Sequence, residues 1–257
     1  MRFRIRYSKQ GLMKFIGHLD MMRYFQKALR QAGIEVSFTE GMSPHMSMSY
    51  AFPLGVGMTS DSEYVDVDLD IPLQSRELVG RLNRAAAEGV HFLDARVVEP
   101  GKANKGMNLV RRADYTLYFR EGYEWEDGWK EDFAGWLDQE SIMVLKKSKK
   151  TEKEVNIRPL IYAFDLNPDM RCVRGICDET AEEGADPTAS DYDAPGDLFL
   201  ALSAGSENNI RPELVMEAYA SASGRAFSPY SFQINRDEVY TKSGDHFIPL
   251  IKLGKQL

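Results

Sequence analysis

The sequence is poor in the residues that most often carry chemistry. Of 257 residues only two are cysteine, Cys172 and Cys177, and four are histidine. Two thiols spaced C-x4-C are too few for a disulfide framework, lack the further ligands of a zinc site and do not make the C-x3-C-x2-C pattern that holds an iron–sulfur cluster, so reduced thiols are expected. No run approaches the roughly 18 apolar residues of a spanning helix. The opening Met1-Arg2-Phe3-Arg4-Ile5-Arg6 alternates charged with apolar side chains instead of building a signal peptide. The expectation is a cytoplasmic protein without membrane contact. Gly-x-Gly-x-x-Gly, the phosphate-loop motif, Gly-x-Ser-x-Gly and His-Glu-x-x-His are all absent, which removes the common cofactor and hydrolase signatures. Neither a cofactor nor a metal site is expected.

What is present fits a folded chain, with 43% hydrophobic and 28% charged residues. The net charge of −7 conceals a division. Residues 1–58 hold eight Lys/Arg against Asp20, Glu35 and Glu40, a surplus of five that leaves −12 for the remainder. Much of that deficit lies in Asp178, Glu179, Glu182, Glu183, Asp186, Asp191, Asp193 and Asp197. A basic end on an acidic chain offers a polyanion a local landing surface.

Periodicity orders the first hundred residues. Arg2 to Tyr7 alternates as a strand with Phe3, Ile5 and Tyr7 inward and three arginines outward. Leu19, Met22, Tyr24, Phe25, Ala28, Leu29 and Ala32 follow helical spacing, and Gly33 is placed to end that helix. Met46 to Phe52 and Glu63 to Asp70 read as strands, the latter with Asp66, Asp68 and Asp70 outward. Gln74 to Glu88 reads as a helix and Val90 to Val98 as a strand. The order β-α-β-β-α-β is the ferredoxin-like arrangement. In the second half Asp114 to Arg120 is a strand, Trp129 to Leu137 a helix, and Ser141 to Lys147 with Glu154 to Leu166 a hairpin. Leu198 to Ser203 is a strand, Glu213 to Ala220 a helix, and Phe232 to Thr241 the last long strand. The fold class expected is α+β: two ferredoxin-like domains in tandem, 1–100 and 109–257, joined near Pro100 to Asn108, the second with an acidic insertion near 175–197.

Candidate chemistry centres on His18, Asp20 and His45. Gly17-His18-Leu19-Asp20 enters the first helix, where free N–H groups favour anions; Pro44-His45 ends a loop rich in Gly, Ser and Met. Folded together with Arg2, Arg4 or Arg6, they would contact or cleave a phosphodiester. Alternatively Asp20 caps the helix and His18 bonds a loop carbonyl, and two histidines with one carboxylate are also a metal-ligand set. The lysines at 146, 147, 149, 150 and 153 form a basic hairpin tip, either solvated or on phosphate. Trp125, Trp129 and Trp136 read as core or interface residues.

The run from Phe15 to Leu69, with HLD, GMSPH, PLGVG and EYVD, resembles the bacterial radical-SAM-associated family also known as domain of unknown function 2344. Its members read S-H-L-D, G-F-N-P-H-P-K/R, P-L-x-x-G and E-Y-x-D. VNIRPLI, NIRPELVMEAY and INRDEVY continue the likeness, while Gly17, Met42, Ser43, Met46 and Ser47 depart from the family's usual residues. The resemblance implies a radical S-adenosylmethionine (SAM) protein as partner, which would hold the iron–sulfur chemistry. The expected function is an accessory protein that binds RNA or a ribonucleoprotein substrate, with Arg2, Arg4, Arg6, Lys27 and Arg30 on phosphates and His18 and His45 nearest the presented group. The alternatives are a ribonuclease or transferase acting through His18 and His45, and a scaffold whose segment from Asp178 to Asp197 engages a basic protein.

Overall fold

Strand β1 (Arg2–Lys9) is buried on both faces, and that sets the architecture. Phe3, Ile5 and Tyr7 face a helical layer made by α1 (His18–Gln31) and α2 (Ser75–Arg84). The opposite face, expected in solvent, carries Arg2 and Arg4 directly across from Asp68 and Asp66 of β3 (Thr59–Asp68). Alternating charge on two neighbouring antiparallel strands is therefore a ladder of opposite signs. The expectation that Arg4 and Asp66 point outward is corrected: both are buried.

The structure, a computed structural model, describes residues 1–147, 152–168, 196–206 and 208–257. Its fold is α+β with one large, mostly antiparallel sheet. The first half adds β2 (Met48–Tyr50) and β4 (Val90–Val97), giving the order β4-β1-β3-β2. After a short turn of helix α3 (Gly106–Leu109), the second half contributes β5 (Arg112–Phe119), β8 (Ile161–Asp165), β9 (Leu198–Ser203) and β10 (Phe232–Ser243), in the order β10-β5-β9-β8. Its helices are α4 (Trp129–Leu137) and α5 (Pro212–Ser223), and β11 (His246–Pro249) pairs with β10. The halves share the sheet through β3 and β10, paired in parallel at Thr59–Asn235 and Ser60–Arg236.

The expected hairpin of the second half is two pieces. Strand β6 (Met143–Lys147) pairs with β7 (Glu152–Asn156) as a separate ribbon, while β8 leaves it for the main sheet. A 3₁₀ turn at Arg158–Leu160, with Pro159 inside it, breaks the run, since proline cannot supply a ladder N–H. In α1 the buried stripe is Met21, Phe25, Ala28 and Leu29, and Leu19 is exposed. Gly33 at φ 64 ends this helix as expected. Trp129 and Trp136 are core residues against Phe133 and Tyr219. Cys172, Cys177, Lys149, Lys150, the side chain of Lys147 and the acidic run from Asp178 to Asp193 lie outside the described residues. Among the described residues no helix is long and apolar enough to cross a membrane.

Candidate functional site

The five cations expected on phosphate separate into two groups. Arg4 is fully buried; its Nε lies 2.8 Å from Asp66 Oδ1 and its Nη2 3.0 Å from Oδ2, with Nη2 also donating to the Asn104 carbonyl. Asp66 Oδ2 further accepts the Gly106 N–H at 2.7 Å. Arg2 is bidentate to Asp68. Burial alone would raise the Asp68 carboxyl, but hydrogen bonds from Arg2 and Ser47 prevail and hold it below its ordinary value. Arg6 bonds Ser62 and lies 3.2 Å from Glu238 Oε2. These arginines are neutralised by carboxylates, and the expectation that Arg4 binds phosphate is corrected by its burial. Lys27 and Arg30, by contrast, are exposed on α1 and have no acidic partner among the described residues.

The three groups expected to share one pocket have different surroundings. His18 opens α1 with its ring edge-on to Tyr50 at 5.0 Å. Asp20 does not cap the helix, whose N-cap is Gly17; its Oδ1 accepts from Arg23 at 2.8 Å in solvent. His45 Nδ1 lies 3.0 Å from Thr39 Oγ1, which also accepts the His45 backbone N–H. A cleft of about 80 Å³ beside His45 is lined by Arg2, Asp66, Asp68 and Lys105, and His18 is not among its walls. That space is far below the roughly 300–1,000 Å³ of ordinary ligand sites. Among the described residues no three His, Cys, Asp or Glu side chains are placed to hold a metal ion.

Two features escaped the sequence reading. The first is a polar seam where the halves join. Arg236 of β10 forms a bidentate pair with Glu63 of β3, at 2.9 and 3.2 Å, with Phe52 stacked on the guanidinium at 4.7 Å. Beside it Glu238 accepts from Tyr64 at 2.6 Å and from Ser62 at 3.0 Å. Asn235 bridges Asp61 and Asp237, and Thr116 donates to Asp237 at 2.8 Å. The signal was available in Asn235-Arg236-Asp237-Glu238, four consecutive polar residues inside a long strand. Polar side chains on both faces cannot be one solvated face.

The second is a cationic helical surface. Tyr24 of α1 accepts the Ala87 N–H just beyond α2, and Gln31 shares a depression with Arg81 and Arg84. Lys27 lies between Tyr24 and Gln31 on the helix surface, three and four residues away. The cations of α1 thus border those of α2. Arg81 is paired with Glu77 at i,i+4 and Arg23 with Asp20, whereas Arg76 and Arg84, like Lys27 and Arg30, are exposed with no acidic partner among the described residues. Of the expected lysine tip, Lys146 donates to the Asn209 carbonyl at 2.7 Å.

Comparison with known proteins places the chain in a family but not in a pathway. No curated protein matches it. A crystal structure of an unknown protein from Galdieria sulphuraria is similar at 11% identity over 91% of this chain and 96% of that one, with a TM-score of 0.23; a likeness so weak says nothing of fold or activity. Residues 2–212 match the family described as "uncharacterized protein conserved in bacteria", domain of unknown function 2344. With that match covering most of its length, the chain belongs to this family.

Proposed function

We propose that this protein is an accessory subunit that binds RNA, or a ribonucleoprotein substrate, and works with a radical SAM partner in its modification. The observation that carries the RNA reading is the helical face of the first half, where Lys27, Arg30, Arg76 and Arg84 stand exposed without acidic partners among the described residues. Cations already paired gain little from a phosphate, so the unpaired ones define the contact surface. The radical SAM partner rests on the family's motifs from His18 to Asp66. A role without catalysis fits two exposed imidazoles of which His45, and not His18, lines the small cleft beside Asp66 and Asp68. In this reading the chain is two ferredoxin-like units, 1–100 and 109–257, a view supported by the parallel strand orders β4-β1-β3-β2 and β10-β5-β9-β8.

The test is fluorescence anisotropy of a labelled single-stranded RNA of about 20 nucleotides. Four phosphate contacts predict that affinity falls roughly 600-fold between about 50 and 500 mM salt. Changing all four residues to Gln should abolish most of that dependence, whereas Arg111→Gln, on a different surface, should leave it intact. Binding that ignores both salt and the fourfold substitution would end the reading.

A further inference from the structure

Between β6 and α5 runs a groove of about 770 Å³, remote from the helical face just described. Strand β6 uses one edge to pair with β7, and the Ile142 carbonyl accepts the Ile157 N–H at 2.9 Å. In an antiparallel strand the backbone groups of successive residues point to opposite edges. Ile142, Val144 and Lys146 therefore turn toward β7, while the N–H and C=O of Met143 and Leu145 turn to the groove, where no backbone group of the described residues meets them. Their side chains are 56% and 49% exposed, whereas Val144 packs on the core. A bare apolar edge of this kind is a template for another strand.

The facing wall is α5, with Leu214 and Ala218 toward the groove. One end is cationic: Lys146 and Arg211 lie there, bracketing Asn209, whose Oδ1 is buried without a partner among the described residues. Glu217 stands further along the helix.

We propose that this groove binds an extended segment of a partner protein, added to β6 as a third strand. Alternate apolar side chains of that segment sit beside Val144 and against Leu214, and an acidic residue lies at the Lys146–Arg211 end. Recognition by backbone hydrogen bonds gives affinity, and the groove wall gives side-chain preference. The inference is independent of RNA binding, since none of the four phosphate-contact residues lines the groove.

The probe is a fluorescein-labelled peptide, Asp-Val-Thr-Val-Thr-Val-Thr-amide, titrated with the full-length protein. Saturable binding is expected. Two further probes carry N-methyl groups on one or the other alternating set of residues; the set whose N–H groups face β6 should weaken binding about tenfold or more, and the other set should leave it unchanged. These probes leave the protein unaltered. Leu145→Pro removes an N–H that β7 does not use, so it should preserve the circular dichroism spectrum and weaken the peptide by a similar factor. Lys146→Glu should reverse the preference for Asp over Lys at the peptide's end. Absence of saturation, or equal effects of the two methylation patterns, overturns the proposal. So does concentration-dependent dimerisation lost in Leu145→Pro, which would assign the edge to a second copy of this chain.

Discussion

Arg4 and Lys27 carry the same charge within one half of the molecule, and what surrounds them decides their roles. Arg4 faces Asp66 across β1 and β3 with no access to water, so Arg4→Ala should cost about 3–5 kcal/mol, because it leaves a buried carboxylate uncompensated. Arg2→Ala, removing a pair that water still reaches, should cost no more than about 1 kcal/mol. Urea denaturation measures both, and equal losses would refute the distinction. Reading the sequence identified these residue types but not their positions, since a period of two is the same for a solvated face and for one facing opposite charges. Asp237 provides a second contrast. Burial, and after it the charge of Asp61, raises its carboxyl well above the ordinary value, against hydrogen bonds from Asn235 and Thr116. A folded-state value above the unfolded one means that the stability tied to the protonated form is complete below the ordinary Asp range near pH 4 and is lost as pH rises through the raised value. Asp237→Asn mimics the protonated form, so its melting temperature relative to the parent should climb steadily as pH is raised from about 4 to 8. A constant offset across that window would show that Asp237 is ionised throughout.

Elements were more legible than faces. The helical spacing and Gly33 located α1, and alternation located β1 and most of β3. The buried stripe was harder to place, because Leu19, Met22 and Tyr24 are apolar or aromatic yet flank the true contact line of Met21, Phe25, Ala28 and Leu29. Leu19 lies on the exposed side of the first turn, whereas Phe25 meets Tyr7, Tyr50 and Phe92 edge-on. Phe25→Ala should then cost about 3–5 kcal/mol and Leu19→Ala under about 0.5 kcal/mol, measured by thermal or urea unfolding. A large loss at Leu19 would mean that the exposed start of α1 is covered in solution. The strand expected from Met46 to Phe52 is there as the shorter β2, but its pairing with β3 and the departure of β8 from its ribbon were illegible for a different reason. Both depend on which distant strand offers an edge, and local propensity does not encode that choice. The candidate site follows the same division: Lys27 and Arg30 were found from charge on one helix, while Arg84 joins them only because α2 packs beside α1, and Arg76 stands exposed on that second helix.

At the scale of the molecule, the two halves are held by few backbone contacts and many polar side chains. The β3–β10 pairing spans only two residue pairs, and the C-terminal segment adds a second join, Lys255 exchanging N–H···O bonds with Val97 of β4 and the Ser75 N–H donating to the Leu257 carbonyl. What reinforces the strand pairing is the seam of Arg236–Glu63, Glu238 with Tyr64 and Ser62, and Asn235 with Asp61, each crossing from one half to the other. Opening the seam would also uncover the hydrophobic cluster of the second half, into which Ala51 and Tyr64 of the first half pack, so the two halves share buried apolar surface as well as polar contacts. The protein therefore should unfold as one cooperative unit. Its tryptophans allow a clean test, because Trp125, Trp129 and Trp136 all lie in the second half, while far-ultraviolet circular dichroism reports on both. In urea the two signals should give one midpoint. Arg236→Ala, which strands Glu63 and removes the stacking on Phe52, should lower that midpoint and drive the two signals apart, the dichroism losing the first half before the fluorescence changes. Separate midpoints already in the parent protein would show that the halves are independent domains and that the seam carries little of their coupling.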